Sequence, residues 1–160
     1  MVTIEAYHGQ KEVLVRFMEQ LQDYLVSIDP IKRLRRPPEY GEIYTNNLLK
    51  KIQEHNGMIY LAFEDTVPIG MIAGNIQPPT EEEKIERIPS QVGTVIDFFV
   101  DETQRGKKVG LALMNKMEEY FRSQHCDALW LEVFVPNTRA REFYKTFGFE
   151  ERLVEMLKRI

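Results

Sequence analysis

Two stretches of this chain carry residue types and spacings that could do chemistry. The first is Gln104-Arg105-Gly106-Lys107-Lys108-Val109-Gly110, between an apolar run at 94–100 and a strongly periodic helix. The first N–H groups of a helix have no partner inside it and point outward. Gly106 and Gly110 permit tight turning and close approach of a ligand. Arg105, Lys107 and Lys108 add positive charge at the positive end of a helix, a combination that suits a diphosphate. The bland alternative is a tight turn with its lysines in solvent. The second stretch runs from Leu131-Glu132 through Asn137, Ala140 and Tyr144 to Gly148-Phe149. It offers a carboxylate that could take a proton and a phenol that could give one. The alternatives are a structural, hydrogen-bonding Glu132 and a Phe143-Tyr144-Phe147 stripe that serves only the core.

Elements that could position these residues are legible from periodicity. A strand is predicted at 2–7. A helix follows, with Val13, Leu14, Phe17, Met18, Leu21, Tyr24, Leu25 and Ile28 on one side, stopping near Asp29-Pro30. A second helix is expected at 39–54, a hairpin with strands at 58–63 and 67–76, and a polar loop at 78–91. The helix after the glycine turn carries Val109, Leu113, Met117, Tyr120 and Phe121 on one side. A strand is predicted at 128–135, then a short helix capped by Thr138 and closed by Gly148, then a last strand at 149–158. This order argues for one mixed α/β domain over 1–160.

Composition narrows the classes. The chain has 160 residues, 43% hydrophobic and 29% charged, as in soluble globular domains. No apolar run approaches the roughly 20 residues that cross a bilayer. No secretory leader is evident, and the single Cys126, read as a structural thiol, cannot form an internal disulfide, so a cytoplasmic setting is expected. A net charge of −4 argues against nucleic acid as a partner. The basic run at 32–36 and the acidic run at 81–86 read as solvated surface. Ser27, Ser90 and Ser123 lie outside any Gly-x-Ser-x-Gly elbow. His8, His55 and His125 lack metal-ligand spacing, and neither glycine fingerprint for nucleotides is present.

Together the two stretches resemble the GNAT superfamily of acyl-CoA-dependent N-acetyltransferases. In that family a strand precedes Arg/Gln-x-x-Gly-x-Gly/Ala at a helix start. A later strand ends near Asn, followed by Ala and Tyr on a short helix and then Gly-Phe. Both signatures occur here in order, within 94–150. The resemblance implies a single twisted mixed sheet of six to seven strands, mostly antiparallel, flanked by about four helices. The sheet would splay between its fourth and fifth strands to admit acetyl-CoA as co-substrate. No metal is implied.

The same resemblance assigns residues. Backbone groups of Phe98, Phe99 and Val100 would pair with the pantetheine arm, and an N–H there would polarise the thioester carbonyl. Arg105, Gly106, Lys107, Lys108, Val109 and Gly110, with Leu111 behind them, would hold the pyrophosphate. Asn137 would hydrogen-bond the pantetheine, Ala140 would leave room for it, and Tyr144 would be the general acid. Glu132 matches the proposed base of the ribosomal-protein N-terminal acetyltransferases. It lies between Trp130 and Phe134 on one face, an environment that would raise its pKa. Asp97 is the other candidate. Its strand resembles that of the polyamine acetyltransferases, whose acidic substrate-contacting residue falls at Ile96 here. The family pattern has Gly where this chain has Lys108, which is expected to be helical with its ammonium on a phosphate.

The implied reaction is direct attack of a primary amine on acetyl-CoA in a ternary complex. The amine could belong to a small molecule, an antibiotic or a protein. A non-catalytic acyl-CoA-binding module on the same fold is the alternative. The acceptor surface is expected from the first two helices and the loops at 29–40 and 78–91, with Glu81, Glu82 and Glu83 attracting a cationic acceptor. An exposed last strand would let two copies pair as a homodimer.

Overall fold

All 160 residues are described by a computed structural model. The elements in chain order are β1 (Val2–Ala6), α1 (Lys11–Ile28), α2 (Tyr40–Glu54), β2 (Met58–Glu64), β3 (Val67–Asn75), α3 (Glu81–Glu86), β4 (Val92–Val100), α4 (Val109–Ser123), β5 (Ala128–Leu131) and α5 (Thr138–Thr146). They build one sheet in the order β1-β2-β3-β4-β5. The first four strands are antiparallel neighbours, and β5 joins β4 in parallel.

Helices cover both faces of the sheet. Leu14, Phe17, Met18 and Leu48 of α1 and α2 pack on one face with Ile59, Leu61, Met71 and Phe99. Leu113, Met114, Met117 and Phe121 of α4 pack on the other with Tyr60, Ile72, Val95 and Tyr144. Burial on both faces explains why β3 is sequestered from Ile69 to Asn75 without alternation. Each such side chain contributes about 1.5–3 kcal/mol on leaving water.

Two irregularities shape the open side of the sheet. Opposite Ala73 and Gly74, β4 carries an extra residue, because Asp97 pairs with Ala73 but Val95 with Gly74. The bulge at Ile96 reverses the alternation of β4. Val95, Phe98 and Val100 therefore face α4, while Ile96 and Phe99 face α1 and α2. Second, β5 pairs with β4 only from Val92–Ala128 to Val95–Leu131. Beyond Val95, β4 continues to Val100 with no strand partner on that side.

Several expectations need correction. The sheet has five strands rather than six to seven, and there are five helices rather than four. The strand expected at 128–135 ends at Leu131, where β5 diverges from the only neighbour it has. The last strand expected at 149–158 does not form. Those residues find no sheet edge, and Leu153, Val154 and Met156 are exposed. The loop at 78–91 contains α3, whose start is a capping box. Thr80 accepts from the Glu83 N–H at 3.2 Å, and Glu83 accepts from the Thr80 N–H at 2.9 Å. The Thr-x-x-Glu spacing is the sequence signal for such a box. Asn137, not Thr138, caps α5, its Oδ1 accepting from the Ala140 N–H at 3.3 Å.

Gly93 on β4 has no room for a side chain: an added Cβ would lie 2.4 Å from Cγ of Phe121. Gly93→Ala is expected to destabilise the protein by about 1–3 kcal/mol, as overpacking does. Urea unfolding checks this by a lower midpoint at unchanged slope.

Candidate active site

The site is built where β5 leaves β4. Asp97 is the second residue past their last pair, directly after the bulge. It is 8% exposed, on the α2 side of the sheet. The Tyr44 hydroxyl of α2 donates to its two oxygens, at 3.0 and 3.2 Å. Burial pushes the Asp97 carboxyl up to about 6, against the opposing effects of the Tyr44 hydrogen bond and the Lys51 charge. Tyr40 stacks on Tyr44 with ring centroids 5.3 Å apart. A cleft of about 340 Å³ runs beside this group, lined by Tyr44, Asn47, Leu48, Lys50, Lys51, Glu54 and Ile96.

Tyr144 of α5 lies on the opposite face, 9% exposed and packed with Phe98, Phe143 and Phe149. Burial, and then the negative charge of Asp97, raise its phenol well above the usual value. The phenol therefore stays protonated at any working pH. Asp97 and Tyr144 thus stand on two faces of one strand, at the height where the sheet opens. Phe98, next to Asp97 on β4, stacks on Phe143 at 5.4 Å. Phe99 points the other way and stacks on Phe17 at 4.8 Å.

The glycine turn sits at the start of α4. Gly106 has φ +82°, and a Cβ there would meet nothing within 4 Å, so space opens outward. Gly110 serves a different purpose: a Cβ there would lie 3.1 Å from Cζ of Phe98, so its close approach is to that ring. Val109 is buried and anchors the turn, while Leu111 is 40% exposed. Unlike α3 and α5, α4 has no side-chain cap. Its first N–H bonded back into the turn is that of Ala112, which donates to the Lys108 carbonyl at 3.0 Å. The N–H groups at the helix start ahead of it have no partner within the helix, a kind of start that can receive an anion.

The cations around that start are unequally engaged. Arg105 donates through Nε to the Val100 carbonyl at 3.3 Å. Lys107 donates to Gln104 at 2.9 Å, and Lys108 is exposed without an ion pair. The helical conformation expected for Lys108 is not found. Lys108 is the N-cap residue of α4 in the left-handed region, φ 64°. The turn keeps a glycine-like conformation although the side chain at this position is a lysine.

Tyr24 of α1 joins the two halves of the opening. Its hydroxyl donates to Asn137 Oδ1 at 3.4 Å, and its ring lies 5.8 Å from the Arg105 guanidinium. The Asn137 oxygen is thus committed to Tyr24 and to the α5 cap, which leaves its amide N–H groups for a ligand. Ala140, one turn into α5, is half-buried beside them. Glu132 lies one residue past the end of β5. It is exposed, as Trp130 on its face is, and has no hydrogen-bond partner. The apolar enclosure expected for it is absent. Tyr44, Tyr40 and Tyr24 carry no sequence signal that marks them as site residues. Their helical spacing is equally that of ordinary core tyrosines.

No group of three His, Cys, Asp or Glu side chains is placed to hold a metal ion. No helix is long and apolar enough to cross a membrane.

The decisive comparison is with family models: the acetyltransferase (GNAT) family matches residues 18–149. The chain belongs to the GNAT family. Among curated relatives, this GNAT protein is 38% identical over 98 residues to the uncharacterized N-acetyltransferase MJ1207 of Methanocaldococcus jannaschii, covering 58% of the chain and 41% of the relative. The chain spans less than half the length of the curated relatives it matches. Among solved structures, a tetramutant of the BH1408 protein from Bacillus halodurans superposes with a TM-score of 0.83 at 17% identity, over 99% of both chains. Aminoglycoside N-acetyltransferase AAC(6')-Iy in complex with CoA superposes with a TM-score of 0.74 at 18% identity, over 100% of this chain and 96% of that one. At these identities the likeness is one of fold.

Two stability outcomes are expected at Lys108 and Asp97 of this GNAT protein. An L-residue in the left-handed region costs roughly 1–2 kcal/mol, of which glycine's unfolded-state freedom takes back about 0.5–1. Lys108→Gly should therefore be more stable than the parent by about 0.5–1 kcal/mol in a denaturant series, whereas Lys108→Ala should show no gain. For Asp97, the folded state holds a proton that the unfolded state has lost between pH 3.8 and about 6. The stability drawn from this group is therefore full at low pH and falls as pH rises through that window. Asp97→Asn should be more stable than the parent at pH 7 by on the order of 3 kcal/mol, at about 1.4 kcal/mol per pH unit of that window. That gain should vanish below pH 4 in thermal unfolding across pH.

Proposed function

We propose that this chain transfers an acetyl group from acetyl-CoA to a primary amine by direct attack in a ternary complex. The observation that carries this reading is the pairing of Asp97 and Tyr144 across the opening of the sheet. Asp97 is a buried carboxyl raised to about 6, able to hold a proton yet ionised at neutral pH. A base with a pKa near the working pH is efficient. Tyr144 stays protonated, and its hydroxyl makes no hydrogen bond within the protein. It therefore has a proton to give to a departing thiolate, although burial makes it a weaker acid than an ordinary phenol.

Acetyl-CoA supplies the activated acyl group. The uncapped start of α4, with Gly106, Lys107 and Lys108, suits its pyrophosphate. The gap-facing edge of Phe98, Phe99 and Val100 suits the pantetheine arm, and the Asn137 amide is placed to meet it. The amine enters from the α2 side, where Asp97 takes its proton directly or through a water. Glu132, the base suggested by resemblance, is open to solvent and lacks a partner, so the geometry favours Asp97.

The rival is a GNAT-fold module that binds acyl-CoA without turnover. Free-thiol release from acetyl-CoA against peptides, amino acids, polyamines and aminoglycosides separates the two. Tyr144→Phe should lower kcat by about 10²–10³, within the range of lost acid–base catalysis, at unchanged acetyl-CoA affinity by calorimetry. Asp97→Asn should lose activity of the same order and Glu132→Gln less than about threefold. Full activity in Asp97→Asn with loss in Glu132→Gln would return the base to Glu132. No thiol release with any amine would support the binding module.

A further inference from the structure

The two charged runs of the chain differ in what their charges do. Glu81 pairs with Lys84, Glu83 pairs with Arg87 and also caps α3, and only Glu82 of the three is free. The acidic run is largely consumed by its own helix. The basic run is not. Arg36 pairs with Asp23, but Lys32, Arg33 and Arg35 are exposed and make no ion pair.

The backbone beneath these cations is held in place. Asp29, 6% exposed, accepts the N–H groups of Ile31 at 3.1 Å, Arg33 at 2.6 Å and Leu34 at 2.8 Å. These hydrogen bonds, led by that of Leu34, hold its carboxyl below the usual range. Lys32 takes the left-handed conformation, φ 52°, within this wrap. Arg159 adds a further cation by donating to the Ile31 carbonyl. The loop is a fixed platform for positive charge.

Side chains connect this platform to Asp97. The Arg35 carbonyl accepts from Gln22 Nε2 at 2.9 Å, and Gln22 Oε1 accepts from the Tyr40 hydroxyl at 3.3 Å. Tyr40 stacks on Tyr44, which donates to Asp97. On the other side of Asp97, the cleft along α2 carries Lys50 and Lys51. Lys50 is shared with Glu54 at 3.8 Å, and Lys51 has no ion pair. Unpaired cations thus stand toward both ends of the approach to the candidate base, with Glu39 beside the start of α2 as an exposed carboxylate between them.

We propose that the acceptor is an amine within an acidic peptide segment, whose carboxylates meet Lys32, Arg33 and Arg35 while the amine reaches Asp97. This deepens, and rests on, the acyltransfer reading above. A polycationic acceptor would be repelled by the same residues. An oligonucleotide is disfavoured because Tyr40 and Tyr44 stack on each other, half-buried, and offer no platform for bases.

The test uses decapeptides with a free N-terminal amine, a central lysine and a fluorophore on the last residue, flanked by Glu, Gln or Lys. Anisotropy at low salt should show the Glu peptide binding about tenfold tighter than the Gln peptide, a preference that fades as salt screens it. The triple variant K32E/R33E/R35E should lose that preference while keeping CoA affinity and thermal midpoint. Neutralising Glu81 and Glu82 should leave it intact. Equal binding of the three peptides, or a preference that survives the triple variant, would overturn the proposal. So would displacement of the Glu peptide at lower concentration by a single-stranded oligonucleotide of equal charge. Free-thiol release separates the two levels. A bound Glu peptide that is never acetylated keeps the platform and sinks the acyltransfer reading. A neutral or cationic amine turned over with KM unmoved by the triple variant sinks the platform and keeps acyltransfer.

Discussion

The short parallel pairing of β4 with β5 is the constraint on which the rest of the site depends. Four residue pairs hold the two strands together, and the ladder stops at Val95–Leu131. A parallel strand brings no hairpin of its own to hold it, so its position depends on the elements at either end. Here those are α4 before it and α5 after it. As β5 departs, the bulge at Ile96 turns Asp97 toward α2, and α5 carries Tyr144 back against Phe98 on the other face. Opening of the sheet, a buried acid and a buried phenol therefore meet at one level of β4. Tyr24, reaching from α1 to both Asn137 and Arg105, ties the two sides of the opening together.

Two buried aspartates show how surroundings separate structure from chemistry. Asp29 accepts three backbone N–H groups through its side chain, and its carboxyl is held low. Asp97 has only the Tyr44 hydroxyl, and its carboxyl is pushed up. The balance between desolvation and donors decides the direction in each case. Asp29 stays an anchor for a loop, while Asp97 becomes a group able to exchange a proton. Similarly, two runs of like charge diverge in use: one is spent inside α3, while the other is displayed from a loop fixed by Asp29.

Much of the fold is legible in the sequence because its signals are local. The periodicity of α1, α2 and α4, the hairpin at 58–75 and the closing Gly148, with φ 102°, depend on neighbours within a few residues. The missing signals are long-range. The end of β5 at Leu131 and the unpaired segment 149–158 depend on whether a partner edge is available, which no window of sequence reports. The conformation of Lys108 is of the same kind. Its side chain argues for helix, yet the turn between Gln104 and Val109 imposes the left-handed region.

By itself the sequence determined the family, and it marked a basic glycine turn at a helix start and Tyr144 as a candidate proton donor. These rest on residue types at short, fixed spacings: Arg105 to Gly110, and Asn137 to Tyr144. Only the tertiary structure separated the surroundings of the two candidate carboxylates. Glu132 and Asp97 are each one carboxylate on one strand, and alternation alone makes them alike. Folding leaves the first in solvent past the end of β5. It buries the second beneath α2 with a single hydroxyl donor, so that desolvation, a property of the assembled layers, raises one carboxyl toward neutrality.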